Sequence, residues 1–287
     1  MASTPSIAQP AALLLCGGGS RGAMEVGFYQ ALRELNIRVD LILGSSIGAL
    51  NGAYIAGGMP PEELARLWRG FRLRQAVRPN WRWLMHPRTQ AGLFTLDPLR
   101  RLLRRTLPAT RFEDLDIPLT VVTTDLECGE AVYWRHGDLI EPVIASLSLP
   151  GIFPPALVGG YRHADGGLAN NVPLDKAVGL GARTIYMIEC VCAERCRAPP
   201  RGLVDLLVRG FSIALDGKYQ ADLRSFQSDV QIHVVRPQLT REIGLLDFRH
   251  GAELIEAAYR QTLRHFTQAG LEKAIPAEYI LREHFDK

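Results

Sequence analysis

The chain has 287 residues, of which 47% are hydrophobic and 22% are charged, and its formal net charge is +3. These values are ordinary for a soluble globular protein of one large or two small domains. No run of about 18 apolar residues occurs, which excludes a transmembrane helix, and the small net charge argues neither for nor against nucleic-acid binding.

The N-terminal residues 1–19 have no basic stretch and only a short apolar run, so we expect no signal peptide. The chain has five cysteines, an odd number, which indicates reduced thiols in a cytosol-like compartment. The sequence therefore predicts a cytoplasmic protein that could also lie peripherally at a membrane.

The first predicted element is an apolar strand over 11–16, followed by a glycine loop and a helix over 21–35. The loop satisfies the G-x-G-x-x-G spacing of dinucleotide-binding turns. The same backbone shape could instead hold the negative oxygen of an acyl-transfer intermediate. Taken alone, the loop leaves both interpretations open.

The second predicted strand, 38–44, runs directly into the sequence G-S-S-I-G and then into a helix of small apolar residues. This strand–turn–helix context is the one a nucleophile elbow requires. Gly44 and Gly48 flank the turn because it is too tight for side chains, and Ser46 stands at the helix N-terminus, where negative charge is favoured. A dinucleotide site needs an acidic residue at the end of this strand. This strand ends in Gly44 and two serines instead, so the sequence favours acyl transfer over dinucleotide binding.

A serine nucleophile needs donors for its oxyanion, and the first glycine loop can supply them. Strands one and two are adjacent in a simple β-α-β winding, which brings the amides of Gly17, Gly18 and Gly19 beside Ser46. Arg21, in the same loop, could brace the loop or bind a lipid phosphate.

An arginine-rich segment over 66–111 holds twelve arginines and one acid, Asp97. It could be a solvated helix face or a surface that meets anionic lipid or nucleic acid. Within it, 71–94 has no clear period and contains Trp81 and Trp83, a composition found at membrane interfaces. We interpret this stretch as a candidate lid or an ordinary surface loop.

The remaining elements alternate between apolar strands and amphipathic helices. Strands are predicted over 117–126, 130–136, 183–189 and 230–236, and helices over 97–107, 173–181, 202–226 and 251–266. Continuous apolar strands alternating with helices predict an α/β fold with three layers, α/β/α, around a mainly parallel sheet.

The base that activates the serine has three candidates. His233 lies in the middle of a predicted strand, and His163 lies two residues before Asp165. Asp165 stands in a D-G-G turn, where a carboxylate can approach a buried hydroxyl, and Asn170 and Asn171 follow it to hydrogen-bond locally. A cluster of Cys190, Cys192 and Cys196 has no evident fourth ligand, so it predicts no zinc site but apolar filling or a local disulfide.

Three motifs in this order resemble the patatin-like phospholipase family: G-G-G-x-R-G at 17–22, G-x-S-x-G at 44–48 and D-G-G at 165–167. The resemblance covers 11–180 and includes a later strand near 228–237. It implies a patatin-like fold in a single catalytic domain over 1–287, with the motif-bearing core at 11–180 completed by 181–287.

The resemblance also implies a Ser-Asp dyad, with Ser46 as nucleophile and Asp165 as base, and an oxyanion hole made by Gly17, Gly18 and Gly19. The residues that would support these motifs are Arg21, Gly22, Gly44, Gly48, Gly166 and Gly167. The implied activity is hydrolysis of fatty-acyl esters, of phospholipase A, lysophospholipase or esterase type. Phospholipid or another acyl-ester lipid is the expected substrate, with no cofactor, metal or nucleic acid.

A second hypothesis rests on the 66–111 segment. The chain could be a lipid- or membrane-binding regulatory protein that keeps the fold and has little turnover.

Overall fold

A mixed, mainly parallel sheet with helices on both faces organises the chain in this computed structural model, which describes residues 10–86, 88, 91–190, 202–225, 230–239 and 243–268. The predicted α/β fold is thus confirmed. The described strands are β1 (Ala11–Leu15), β2 (Leu41–Ser45), β3 (Arg78–Pro79), β4 (Phe94–Thr95), β5 (Leu119–Asp125), β6 (Ala131–Trp134), β7 (Ala156–Val158), β8 (Tyr161–Asp165), β9 (Thr184–Ile188) and β10 (Gln231–Val235).

The described helices are numbered in the order of the chain. They are α1 (Ala23–Glu34), α2 (Ile47–Ala56), α3 (Pro61–Gly70), α4 (Leu73–Ala76), α5 (Trp81–Met85), α6 (Asp97–Thr106), α7 (Ile140–Ser146), α8 (Gly167–Asn170), α9 (Leu174–Gly179), α10 (Leu203–Ser225) and α11 (Gly251–Gln268). None of these helices is both long enough and apolar enough to cross a bilayer.

The parallel part of the sheet has the order β10-β9-β1-β2-β5. Every residue of β1 and β2 is buried, as expected of strands that are covered on both faces. Helix α2 lies close to this sheet because its residues are small: a Cβ added to Gly48 would lie 2.1 Å from the Leu15 carbonyl oxygen.

The edge of β5 joins the two halves of the site. Ser45, at the end of β2, lies opposite Val122, and Asp165, at the end of the antiparallel strand β8, lies opposite Thr123. Because β6 occupies the other edge of β5 at these positions, β2 and β8 share one edge and approach each other end to end. This arrangement brings the elbow turn and the D-G-G turn together.

The stretch over 71–94, which shows no clear period in the sequence, contains short elements of secondary structure. Its described residues form two short helices, α4 and α5, and its two-residue strand β3 pairs antiparallel with β4. The strand β4 is in turn tied to the main body, because the Phe94 amide donates to the Ile152 carbonyl oxygen over 2.9 Å.

Candidate active site

Ser46 occupies a tight turn between β2 and α2. Its φ of 54° is positive, a conformation that is uncommon for a residue with a side chain. Its amide is held by the Ser146 Oγ atom at 2.8 Å, and that hydroxyl donates to the Val122 carbonyl oxygen at 2.6 Å. The elbow is therefore fixed from beneath by a polar side chain of α7.

The Ser46 hydroxyl donates a 2.6 Å hydrogen bond to Asp165 Oδ2. The other carboxylate oxygen of Asp165 accepts the Gly167 amide at 2.9 Å. The backbone of Asp165 is held as well, since its carbonyl oxygen accepts the Thr124 hydroxyl at 2.8 Å and its amide donates to Ser148. The carboxyl group thus has one fixed position, with one oxygen aimed at the serine.

Burial determines the protonation of Asp165. The residue is fully buried, and this desolvation raises the pKa of its carboxyl group to about 7, against the lowering effect of the Ser46 and Gly167 hydrogen bonds. Near neutral pH the carboxyl group can therefore both take up and release a proton.

The two candidate histidines are engaged elsewhere. His163 Nδ1 lies 3.1 Å from the Thr123 hydroxyl, and its ring packs edge-on against Trp134. His233 stacks on Tyr186. It lies on the edge strand β10, which β9 and β1 separate from β2. Among the described residues, Asp165 is the ionisable group bonded to Ser46.

The glycine loop lies beside Ser46, but its three amides are not equivalent. The Gly17 amide donates to Asn171 Oδ1 at 2.8 Å, so the prediction that it is an open oxyanion donor is wrong for this arrangement. Within the described part of the chain, the amides of Gly18 and Gly19 have no acceptor, and both glycines line a small cavity with Ser46. Two amides are therefore available to a ligand.

Arg21 braces this loop. Its side chain is 1% exposed, and its Nε donates to the Ile243 carbonyl oxygen at 3.1 Å. The neighbouring Ser20 donates from its hydroxyl to Gly244 and from its amide to Leu245. Of the two interpretations left open by the sequence, the structure supports the bracing role rather than an exposed phosphate-binding one.

The glycines predicted to support the motifs lie too close to neighbouring atoms to carry a side chain. A Cβ would come within 3.0 Å of a neighbouring atom at Gly22, Gly44, Gly48, Gly166 and Gly167.

An apolar cavity of about 320 Å³ opens at Ser46 and Gly19. Its walls include Leu50 and Trp68. Helix α4 and the residue after it add Leu73, Ala76 and Val77 to the wall, so the 71–94 stretch forms part of the cavity.

Two residues of the site escaped sequence reasoning. Ser146, which holds the Ser46 amide, lies in a short helix with no motif. Asn171 was expected to bond only locally, whereas it reaches the glycine loop. In the cysteine cluster, Cys190 is buried and lies beside Gly18, while Cys192 and Cys196 lie outside the described residues.

Comparison with known proteins decides the family. The family model described as patatin-like phospholipase matches residues 13–178, more than half of the chain. The chain belongs to the patatin-like phospholipase family. It is 34% identical over 183 residues to patatin-like phospholipase domain-containing protein 6 of Mus musculus, which covers 62% of this chain and 13% of that protein.

Other relatives extend the match. An uncharacterized NTE family protein of Mycobacterium tuberculosis is 28% identical over 279 residues, covering 90% of this chain and 46% of its own length. The chain thus spans less than half the length of these two relatives. Among solved structures, VipD from Legionella pneumophila matches with a TM-score of 0.54 at 14% identity, covering 91% of this chain and 67% of VipD. At that identity the match shows a shared fold.

Proposed function

We propose that this chain hydrolyses fatty-acyl ester bonds of lipids, with Ser46 as the nucleophile and Asp165 as the general base. The observation that carries the proposal is the 2.6 Å hydrogen bond from Ser46 Oγ to Asp165 Oδ2, placed where an apolar cavity opens. Membership of the patatin-like phospholipase family supports it.

The first half of the proposed reaction uses this hydrogen bond. Asp165 Oδ2 takes the proton of the Ser46 hydroxyl as Oγ attacks the ester carbonyl carbon, and the carbonyl oxygen becomes an oxyanion. The open amides of Gly18 and Gly19 stabilise that oxyanion. The C–O bond to the alcohol then breaks, the alcohol leaves with the proton from Asp165, and the acyl group remains on Ser46.

The second half repeats these steps with water. Asp165 takes a proton from a water molecule, which attacks the acyl carbon, and the Ser46 oxygen leaves and regains its proton. A carboxylate in water is a weak base for a serine hydroxyl, and the burial that raises the pKa of Asp165 to about 7 makes it a stronger one.

The cavity supports a lipid acyl ester as the substrate class. Its lining is dominated by aliphatic and aromatic side chains, which suit a fatty-acyl chain better than a charged or peptidic acyl group. A phospholipase A, a lysophospholipase and a lipid esterase all fit this description.

Exposed residues on α5 support peripheral membrane contact. On α5, Trp81 is 68% exposed and Met85 is 73% exposed. Arginines on the same excursion are also exposed, among them Arg74, Arg78 and Arg82. An exposed aromatic flanked by cations suits an anionic lipid surface.

The same surface supports a second candidate function, a lipid-binding regulatory protein with little turnover. Vesicle sedimentation of the Trp81→Ala/Met85→Ala variant, beside ester hydrolysis in solution, separates the two. If the chain is a hydrolase, we expect the variant to lose vesicle binding and to keep hydrolysis of a soluble ester. If the chain is a regulator, we expect the wild type to bind vesicles strongly and to cleave no ester.

The direct test of the hydrolase is turnover of a panel of acyl esters and phospholipids by wild type, Ser46→Ala and Ser45→Ala. Ser45 is a matched control because its buried hydroxyl has no partner among the described residues. We expect Ser46→Ala to abolish release of fatty acid and Ser45→Ala to retain it. Turnover that survives Ser46→Ala contradicts the proposal.

A further inference from the structure

A buried cluster of soft ligands lies behind the glycine loop. Cys16 follows β1, Glu25 lies on α1 and Cys190 follows β9. The two sulfur atoms and a carboxylate oxygen all lie within 4.8 Å of one another, and all three residues are buried. Cys16 and Cys190 are thiols and form no disulfide.

The carboxyl group of Glu25 is oriented by neutral partners. Glu25 Oε2 accepts the Asn51 amide at 2.7 Å, and Asn51 in turn accepts the Trp68 indole N–H at 2.8 Å. No Arg, Lys or His of the described chain forms an ion pair with Glu25. A fully buried carboxyl group is expected to be protonated, to pair with a cation or to coordinate a metal.

The thiols are also held in place. Cys190 Sγ donates to Glu25 Oε1 over 3.9 Å, and Cys16 Sγ donates to the Ile188 carbonyl oxygen over 3.5 Å. Glu25 and Cys16 are thus bonded to groups outside the cluster as well as converging within it, which is the arrangement found around protein metal ions.

A buried tyrosine interacts electrostatically with the two thiols. The Tyr219 hydroxyl is buried and has no hydrogen-bond partner within the described residues. Burial raises the pKa of this hydroxyl, and the charges of Glu189, Cys16 and Cys190 raise it further.

We infer that Cys16, Glu25 and Cys190 form a binding site for a thiophilic divalent cation of the zinc class. Two sulfurs and a carboxylate oxygen are three of the four ligands of a tetrahedral site, and a water supplies the fourth. On binding, both thiols and the carboxyl group release their protons, so the affinity rises with pH.

The site adjoins the catalytic loop without being part of it. Cys16 precedes Gly17, and a Cβ on Gly18 would lie 2.8 Å from the Cys190 Cβ. Metal binding does not depend on the proposed hydrolase activity, so the two can fail separately.

The test is a titration of the full chain, freed of metal by a chelator, with Co²⁺ followed by displacement with Zn²⁺. We expect one equivalent per chain, with the thiolate-to-metal charge-transfer band and the visible bands of tetrahedral Co²⁺. Glu25→Gln and Cys16→Ser each weaken binding at least about 100-fold, and Asn51→Ala, which releases the Glu25 carboxyl group, weakens it about 10- to 100-fold.

Two controls locate the ion. Cys128→Ser removes an exposed thiol and leaves binding unchanged, and Cys192→Ser/Cys196→Ser also leaves it unchanged. Circular dichroism checks the fold of each variant, and the wild-type Co²⁺ spectrum reports thiolate ligation even where a variant does not fold. Absence of stoichiometric binding, or binding lost in Cys192→Ser/Cys196→Ser and kept in Cys16→Ser, overturns the inference.

Discussion

The amide of Gly17 donates a 2.8 Å hydrogen bond to Oδ1 of Asn171, 154 positions away in the chain. This bond joins the glycine loop to the segment that follows the D-G-G turn. It lies against Ser46, since a Cβ on Gly17 would be 2.6 Å from Asn171 Oδ1 and 3.0 Å from the Ser46 Cβ. Asn171 is thus placed to position the loop whose next two amides are open.

Replacing Asn171 with alanine tests this positioning role. The substitution leaves the buried Gly17 amide without an acceptor, a loss of about 1–3 kcal/mol, and frees the loop to move. We expect kcat for ester hydrolysis to fall about tenfold or more, with a smaller change in KM. Asn170→Ala is the matched control, because the Asn170 side chain bonds Tyr133 and Asp175 away from Ser46. Equal kcat values in the two variants would show that Asn171 does not position the glycine loop.

The sequence predicts the parts of the site that are local. The elbow and the glycine loop each lie within a few residues, so spacing alone identifies them. The bonds between motifs are not local: Ser146 reaches the Ser46 amide from 100 positions away. The spacing of motifs therefore cannot show that Asn171 accepts a hydrogen bond from the Gly17 amide.

Strand β8, which carries Asp165, is not predicted from the sequence. It reads Y-R-H-A-D, and its first two residues are exposed, so it lacks the continuous apolar run that marks the parallel strands. Helix α7 is short and contains Pro142, a residue that weakens a helical pattern. Where burial on both faces dictates the composition, as in β1 and β2, the predicted strands are confirmed.

The pH dependence of hydrolysis tests the proposed role of Asp165 as the general base. The base must be deprotonated to accept the Ser46 proton, and burial raises the pKa of its carboxyl group to about 7. We therefore expect kcat/KM for a soluble ester to rise with pH through about 7 and to level off above it. A profile that is already flat between pH 5 and 8 would show that this carboxyl group is not the base.

The same carboxyl group affects stability. Its pKa is about 7 in the folded protein, whereas that of an unperturbed aspartate is 3.8, so between these values the folded state holds a proton that the unfolded state has lost. The stabilisation that this carboxyl group contributes to the folded state is fully present below pH 3.8 and is lost as the pH rises through about 7. Asp165→Asn removes the penalty of a buried charge, so we expect its Tm to exceed that of wild type more at pH 8 than at pH 5. Thermal melts at both pH values check this, and an unchanged difference would contradict it.

A side chain at Gly18 should impair catalysis more than lipid binding. The new Cβ would lie 2.8 Å from the Cys190 Cβ, so the loop must shift and an oxyanion donor moves away. Loss of one such donor lowers kcat about 100-fold or more. Gly179→Ala is the control, because a Cβ there meets open space. Turnover and vesicle sedimentation are measured together, and a parallel loss of both in Gly18→Ala would count against an oxyanion role.

The measurement that tests the Ser46–Asp165 dyad most directly is mass mapping of the adduct formed with a fluorophosphonate probe. In wild type we expect a single modified peptide carrying the phosphonyl group on Ser46. In Ser46→Ala we expect no adduct, and in Asp165→Asn we expect slow labelling together with loss of ester hydrolysis. Labelling that persists in Ser46→Ala, or hydrolysis unaffected by Asp165→Asn, would contradict the dyad.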